Sequence, residues 1–193
     1  MIRIAQLADI PEILEIYAPY VLQSTATFEY DVPCRREFTR RFETVTAQFP
    51  WLVWEAEGKI LGYAYASPPF QRAAYSWCAE ATVYLRPQAQ GRGIALALYT
   101  ALEVILKQQG YQVVYALICG ENTPSLRFHE KMGYHICGKF PDCGFKFGRW
   151  MALIWMEKRL NVVKSPSVFP SPWQSIVQNT EFFPDILDNL SLS

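Results

Sequence analysis

Apolar residues recur every three or four positions in four parts of the chain, which is the spacing of an amphipathic helix. The first stripe follows Asp9, a candidate N-cap, and has Pro11 in its first turn. The third ends at Gly110, a residue suited to a left-handed helix end, and the fourth runs from Thr123 as cap to Gly133. The predicted helices are residues 9–20, 35–48, 93–110 and 123–133.

Seven shorter segments, rich in branched and aromatic residues, lie around these helices and predict strands. Glu57 and Gly58 form a predicted turn that joins the second and third of them into a hairpin. The predicted strands are IRIAQL, WLVWEA, ILGYAYAS, SWCAEATVYLR, QVVYALI, HICGKF and FKFGRWMALIWMEKR. Both periodicities stop near residue 160, so we expect a single domain over residues 1–160.

The chain changes character from Asn161 onward, where four prolines and many serines replace the periodic pattern. We predict that residues 161–193 form a Pro/Ser-rich, loosely ordered C-terminal tail outside the domain. Docking of Trp173 and other apolar tail residues on the domain, or on a partner, is the alternative.

Composition excludes several classes of function. Hydrophobic residues make up 51% and charged residues 19% of the 193 residues, as in a globular protein. Lys and Arg together number 18, as do Asp and Glu, and no arginine cluster alternates with aromatic residues, so we expect no nucleic-acid partner. No apolar run reaches transmembrane length and the N-terminus has no signal-peptide core. We therefore expect a cytoplasmic protein without a membrane partner.

The cysteines and histidines argue against metal or disulfide chemistry. Five cysteines form an odd set without a C-x-x-C pair, and the two histidines form no H-x-x-x-H or H-E-x-x-H pattern. We therefore expect neither a metal site nor a disulfide framework in this chain.

The segment VYLRPQAQGRGIALAL, residues 83–98, combines a strand, a glycine turn and a helix. Gly91 and Gly93 flank Arg92 at the start of the helix, where unpaired N–H groups and the helix dipole favour a phosphate. A mononucleotide loop would need Gly-Lys-Ser/Thr, and a dinucleotide loop would need Gly or Ala where Leu96 stands. Taken alone, the turn is equally consistent with an ordinary strand-to-helix connection.

Two motifs in and after this segment match one family. Gln90, Gly91, Gly93 and Ala95 fit the pattern Gln/Arg-x-x-Gly-x-Gly/Ala, and residues 122–134 fit Asn-x-x-Ser, then a His, then Gly-Phe/Tyr. The chain thus resembles the GCN5-related N-acetyltransferase (GNAT) superfamily over about residues 2–160. TATFEYD, GYAYASP, RAAYSW and GFKFGRW narrow the resemblance to its phosphinothricin N-acetyltransferase branch, which includes enzymes that acetylate methionine sulfone and sulfoximine. Members of that branch commonly have Gly where Ala95 stands.

The resemblance implies a single α/β domain of GNAT type, with a mixed, twisted central sheet flanked by helices. It also implies acetyl-CoA as co-substrate, with its pyrophosphate on the glycine turn and its pantetheine arm beside the preceding strand. Asn122 would bond the same arm, although without the motif it would be assigned as a helix cap. The implied cofactor-binding residues are Val83, Tyr84, Leu85, Gly91, Arg92, Gly93, Ile94, Ala95, Leu96 and Asn122.

The resemblance further implies that Glu80 is the general base, which takes the proton of the attacking amine directly or through water. Burial of Glu80 would raise its pKa and make it a stronger base. His129 stands where many superfamily members have a tyrosine acid, and we assign it as the second catalytic residue. Two alternatives stay open for His129, which are holding the substrate and serving only as a packed or surface helix residue.

The implied acceptor is a small-molecule amine, an amino acid with a phosphinyl, sulfone or sulfoximine group, acetylated on its α-amine. Arg72 suits a carboxylate or phosphinate because its guanidinium binds two oxygens at once, although a solvated loop arginine fits the sequence equally well. Phe28 and the FKFGRW segment would complete the pocket. The implied acceptor-binding residues are Phe70, Gln71, Arg72, Glu80, Ala81 and Thr82. A polyamine acceptor, a protein N-terminus and a non-catalytic acyl-CoA sensor are the alternatives, and related enzymes imply a homodimer.

Overall fold

The computed structural model describes residues 1–162 and 168–177, and within these it contains four α-helices and seven strands. The helices are α1 (Ile10–Gln23), α2 (Arg35–Thr46), α3 (Ile94–Gln109) and α4 (Thr123–Lys131). The strands are β1 (Ile2–Ile4), β2 (Trp51–Ala56), β3 (Lys59–Ser67), β4 (Cys78–Leu85), β5 (Val113–Cys119), β6 (His135–Lys146) and β7 (Arg149–Arg159). These elements follow one another in the predicted order.

The seven strands form one sheet in the order β1-β2-β3-β4-β5-β7-β6. Neighbouring strands are antiparallel except for β4 and β5, which are parallel. The parallel pair arises because α3 carries the chain back across the sheet before β5 begins. The predicted α/β fold with a mixed sheet is therefore confirmed.

Each face of the sheet is covered by different helices. On one face, α3 and α4 pack on small residues such as Ala64 and Ala81, which let α3 approach the strands closely. On the other face, α1 and α2 pack on an aromatic layer that includes Trp51, Tyr63 and Tyr84. Alternate residues of β3 and β4 thus face different helices, as the two-residue period of a strand requires.

The start of α1 differs from the prediction. Asp9 ends a short 3-10 turn, Leu7–Asp9, and its side chain does not cap α1. Its carboxylate instead accepts hydrogen bonds from Arg3 Nη1 at 2.7 Å, from Arg3 Nη2 at 2.9 Å and from the N–H of Gln6 at 2.7 Å. The bidentate ion pair with the first strand is stronger than a local cap, so it takes the carboxylate.

Two further boundaries differ from the prediction. Asn122, not Thr123, caps α4, because its Oδ1 accepts a hydrogen bond from the N–H of Ser125 at 3.2 Å. The last predicted strand is interrupted by a turn at Phe147 and Gly148, both with positive φ. Its first residues belong to β6 and the remainder to β7, which makes the segment a hairpin.

Residues 168–177 of the tail pack against the domain. Trp173 donates its indole N–H to the carbonyl of Thr46 at 2.8 Å, and Phe169 stacks on Trp77 with ring centroids 5.1 Å apart. Docking of Trp173, which the sequence left as an alternative, thus occurs in this segment. Residues 163–167 and 178–193 lie outside the described residues, and the domain boundary at residue 160 stays a prediction.

Candidate active site

A cleft opens in the middle of the sheet where β4 and β5 separate. Residues 78–80 of β4 pair with residues 113–115 of β5, but both strands continue beyond this short parallel ladder. The remainder of β5 pairs with β7, and the remainder of β4 pairs with β3 on its other side. One edge of β4 therefore has no neighbouring strand, among those described, on the way to the glycine turn.

Alternate main-chain groups of β4 face this cleft. The register of β3 and β4 directs the main-chain groups of Tyr84 toward β3 and those of Val83 toward the cleft. The carbonyl of Leu85 also faces away from β3, but it accepts a hydrogen bond from Tyr20 Oη at 2.6 Å. Of the three strand residues predicted to pair with the pantetheine arm, Val83 is thus the one with main-chain groups directed at an open edge.

The glycine turn follows directly after this open edge. Gly91 and Gly93 have φ of +73° and +77°, and no neighbouring group lies within 4 Å of where a Cβ would stand. Gly93 caps α3, so the N–H groups of the first helical turn have no carbonyl partner within the helix. These N–H groups belong to Ile94, Ala95 and Leu96. With the helix dipole and the exposed Arg92 beside them, they form an open site for an anion.

Asn122 lies on the other side of the cleft, after the end of β5. Its N–H bonds the carbonyl of Cys119 at 2.9 Å, which fixes it just beyond the strand. Its side chain caps α4 through Oδ1 alone. The cap and a role in binding a cofactor are compatible, because capping leaves the two N–H donors of the amide for another partner.

Glu80 occupies the last paired position before β4 and β5 separate. With Thr82 and Tyr84 it faces the α1–α2 side of the sheet, whereas the side chain of Ala81 is buried on the α3 side. The Glu80 side chain forms no hydrogen bond or ion pair within the described residues, and burial raises the pKa of its carboxyl group. A half-buried, unpaired carboxylate of this kind is typical of catalytic bases.

His129 is held on the opposite side of β4 from Glu80. Its ring is 3% exposed, and Nδ1 lies 2.8 Å from the carbonyl of Ser125, which can only accept, so Nδ1 carries a proton. Nε2 lies 3.0 Å from Tyr99 Oη, which bonds the carbonyl of Ala81 at 2.9 Å. Burial lowers the pKa of His129 and keeps the ring neutral at neutral pH. The two predicted catalytic residues are therefore separated by the strand.

Tyr99 is a site residue that the sequence analysis missed. It lies on the apolar stripe of α3, where a buried aromatic residue is the ordinary expectation for a core. Its hydroxyl becomes informative only once α4 and β4 are packed around it. No local pattern in the sequence separates Tyr99 from the other buried residues of α3.

The loop before β4 carries the other predicted acceptor residues. Phe70 stacks on Trp155 with ring centroids 5.5 Å apart and packs against Tyr75 at 4.7 Å, which anchors one end of the loop. Gln71 and Arg72 are exposed, and Arg72 has no ion-pair partner in the described part of the chain. The structure thus places Arg72 on a solvated loop.

The loop between α1 and α2 is held by the β6–β7 hairpin. Lys146, which is 2% exposed, donates from Nζ to the carbonyls of Ser24 at 2.9 Å and Thr27 at 2.8 Å. Burial lowers the pKa of this ammonium group. Phe28 lies so close to Gly144 that an added Cβ would stand 2.5 Å from its ring. The structure therefore brings Phe28 and Lys146 together in one clamp on the loop.

Replacing Lys146 with Met should loosen this clamp, because methionine fills a similar volume but cannot donate to the two loop carbonyls. We expect the free energy of unfolding to fall by about 2–4 kcal/mol, the effect of losing two hydrogen bonds from a charged donor. Urea denaturation of both proteins measures the difference. Lys139→Met, on an exposed position of the same strand, is the matched control and should change stability by less than about 0.5 kcal/mol. Equal stability of the two variants would contradict the clamp.

Comparison with known proteins decides the family, because residues 2–155 match the acetyltransferase (GNAT) domain. The chain belongs to the GNAT acetyltransferase family. A phosphinothricin N-acetyltransferase of Streptomyces viridochromogenes is 38% identical to this GNAT chain over 149 residues, which cover 77% of the chain and 81% of that protein. An L-methionine sulfoximine/L-methionine sulfone acetyltransferase of Pseudomonas aeruginosa is 35% identical over 171 residues, 85% of this chain and 96% of that protein.

A solved structure supports the same assignment. The crystal structure of a GNAT superfamily phosphinothricin acetyltransferase from Sinorhizobium meliloti, in complex with acetyl-CoA, matches this GNAT chain with a TM-score of 0.82 at 34% identity. The match covers 89% of this chain and 92% of that one. The predicted family, single-domain GNAT fold and N-acetyltransferase class are thereby confirmed.

Two searches of residues 1–162 and 168–177 gave negative results. No helix there is long and apolar enough to cross a membrane. No group of three or more His, Cys, Asp or Glu side chains in this part of the GNAT chain is arranged to hold a metal ion.

Proposed function

We propose that this GNAT enzyme transfers the acetyl group of acetyl-CoA to the α-amine of a small amino acid that carries a phosphinyl, sulfone or sulfoximine group. Relatives at 38% and 35% identity are named for such acceptors. The observation that carries the proposal is the half-buried, unpaired carboxylate of Glu80 at the last paired position of β4 and β5. We also propose a homodimer, which the exposed rings of Phe140 and Trp150 on the β6–β7 hairpin support and a mass measurement in solution tests.

The residues around the cleft fit acetyl-CoA, which supplies an activated thioester carbonyl when bound. The positive-φ turn at Gly91 and Gly93 leaves room for a pyrophosphate against the N-terminus of α3, with Arg92 adding charge. Val83 offers main-chain groups to an extended arm, and Asn122 keeps two amide donors for it. The acetyl-CoA complex of a related GNAT enzyme supports the same assignment.

Glu80 acts on the acceptor amine. An ammonium group must lose a proton before its nitrogen attacks a thioester, and Glu80 takes that proton directly or through one water. Because burial raises the pKa of Glu80, the carboxylate that takes the proton forms only as the pH rises above that raised value. The nitrogen then bonds the acetyl carbon while the sulfur of CoA leaves with the electron pair.

Tyr99 and His129 serve the leaving side of the reaction. The Tyr99 hydroxyl has one proton and two acceptors within 3.0 Å, the carbonyl of Ala81 and Nε2 of His129. A neutral His129 thus competes for this proton and sets the orientation of the hydroxyl at the wall of the cleft. We assign His129 to proton transfer through Tyr99 on this side of β4.

Turnover on a panel of amines tests the function. The panel comprises phosphinothricin, methionine sulfone, methionine sulfoximine, ordinary amino acids, spermidine and a short peptide, with release of CoA as the readout. We expect many turnovers and a kcat/KM at least about tenfold higher for the first three. Preference for spermidine or the peptide would contradict the acceptor class, and acetyl-CoA binding without turnover on any amine would indicate an acyl-CoA sensor.

A further inference from the structure

A cavity of about 380 Å³ lies between α2 and the strands β2 and β3. Small-molecule sites commonly have this size and an aromatic lining with a few polar groups. The walls consist of five aromatic side chains, and the rim is polar and charged. The wall residues are Tyr17, Phe38, Trp51, Tyr63 and Tyr65, and the rim residues include Glu29, Arg40, Arg41, Thr44 and Ser67. None of the residues predicted from the sequence to bind the acceptor lines this cavity.

The cavity lies on the same face of the sheet as Glu80 and extends away from it. Ser67, at one end of the cavity lining, is directly opposite Glu80 in the β3–β4 ladder, and Tyr65 is opposite Thr82. Directly opposed residues share a face, with Cβ atoms about 4.5–5.5 Å apart. Burial and the charge of Glu80 both raise the pKa of Tyr65, which agrees with this proximity. A molecule with its amine at Glu80 can therefore extend its other end into the cavity.

The charge at the rim is unbalanced in favour of an anion. Arg41 is paired with Glu29 and with Glu37, so its guanidinium is neutralised within the protein. Arg40, the neighbouring residue on α2, is exposed and has no ion pair with any described residue. A guanidinium binds two oxygens of a carboxylate or phosphinate at once, and an unpaired one at a cavity rim is suited to that contact.

We infer that this cavity is the subsite for the acceptor side chain and that Arg40, not Arg72, determines specificity for an anionic terminus. The inference rests on the proposed function and narrows its acceptor class. The aromatic walls hold the methylene and methyl groups of the side chain, and Arg40 binds the two oxygens of a phosphinate. An uncharged sulfone fits the same walls but gains no ion pair. The enzyme therefore favours phosphinothricin over methionine sulfone.

Steady-state kinetics with these two acceptors, which differ in the charge of the terminal group, test the role of Arg40. Arg40→Gln should lower kcat/KM for phosphinothricin by roughly tenfold to a hundredfold, the range for loss of one charge-assisted hydrogen-bonded pair. For methionine sulfone the change should stay within about twofold. The wild-type preference should also shrink as salt is raised, because the Arg40 contact is exposed at the rim.

Two variants serve as controls. Arg36→Gln removes an exposed arginine from the same helix outside the cavity lining, and Arg72→Gln removes the arginine of the loop before β4. Selective loss of phosphinothricin activity in Arg40→Gln alone supports the inference. An equal loss for both acceptors, or a selective loss in Arg72→Gln instead, overturns it.

Failure of the proposed function can be told apart from failure of this inference. If the wild-type enzyme acetylates neither acceptor, the proposed function is wrong, and calorimetric titration with phosphinothricin then decides the inference separately. Binding that Arg40→Gln abolishes and Arg36→Gln preserves would support the anionic subsite. Absence of binding to the wild type, or binding that both variants retain, would overturn it.

Discussion

Replacing Glu80 with Gln should lower kcat by about a hundredfold to ten-thousandfold, the usual effect of removing a general base. Glutamine keeps the shape of the side chain but cannot take a proton from the acceptor amine. The affinity for acetyl-CoA should be almost unchanged, because the cofactor site lies along the other parts of β4 and at the start of α3. Single-turnover rates and calorimetry with acetyl-CoA measure the two effects separately.

The pH dependence of this variant separates catalysis from structure. The wild-type rate should rise with pH as Glu80 ionises above its raised pKa, and Glu80→Gln should lack this increase. The deficit should shrink at alkaline pH, where more acceptor amine is already unprotonated. Burial makes ionised Glu80 a cost to folding above its ordinary pKa, so Glu80→Gln should melt no lower than the wild type at neutral pH. A pH–rate profile of the same height and shape as the wild type would show that another group is the base.

An exposed glutamate provides the matched control for this experiment. Glu130 lies on α4 and forms no ion pair within the described residues, so Glu130→Gln removes one carboxylate without touching the cleft. Its kcat and its pH–rate profile should match those of the wild type. A loss of activity comparable to that of Glu80→Gln would point to a general effect of charge rather than to a base.

Replacing Gly91 with Glu should weaken acetyl-CoA binding by a hundredfold or more, on the order of the several kcal/mol that opposing like charges cost. The new carboxylate would stand at the glycine turn, where the pyrophosphate is proposed to meet the N-terminus of α3. Calorimetry with CoA measures the loss, and circular dichroism checks that the fold is kept. Binding equal to that of the wild type would contradict the proposed pyrophosphate site.

Gly58 offers a control that matches Gly91 in backbone strain. Its φ of +72° is close to the +73° of Gly91, and at both positions no neighbouring group lies within 4 Å of an added Cβ. Gly58 lies in the turn between β2 and β3, so Gly58→Glu adds the same charge and the same strain away from the cleft. We expect Gly58→Glu to bind CoA as the wild type does, which assigns the loss in Gly91→Glu to the position of the charge.

The sequence by itself determined the features that depend on neighbouring residues. The turn at Gly91 and Gly93 followed by α3 was predictable because positive φ, helix capping and unpaired N–H groups are local properties. Helical and strand periods likewise predicted the order of the elements. Local reasoning erred at Asp9, where the ion pair with Arg3 takes the carboxylate that would otherwise cap α1.

Only the tertiary structure decided which distant groups meet. The separation of β4 from β5, which opens the cleft, depends on β7 pairing with the rest of β5. Tyr99 meets His129 across 30 positions of sequence, and Glu80 lies on the other side of the strand from both. The cavity beside Arg40 likewise exists only because α2 packs over β2 and β3. Hydrophobic patterns specify which face of an element is buried, but the partner that covers it is set by packing of the whole chain.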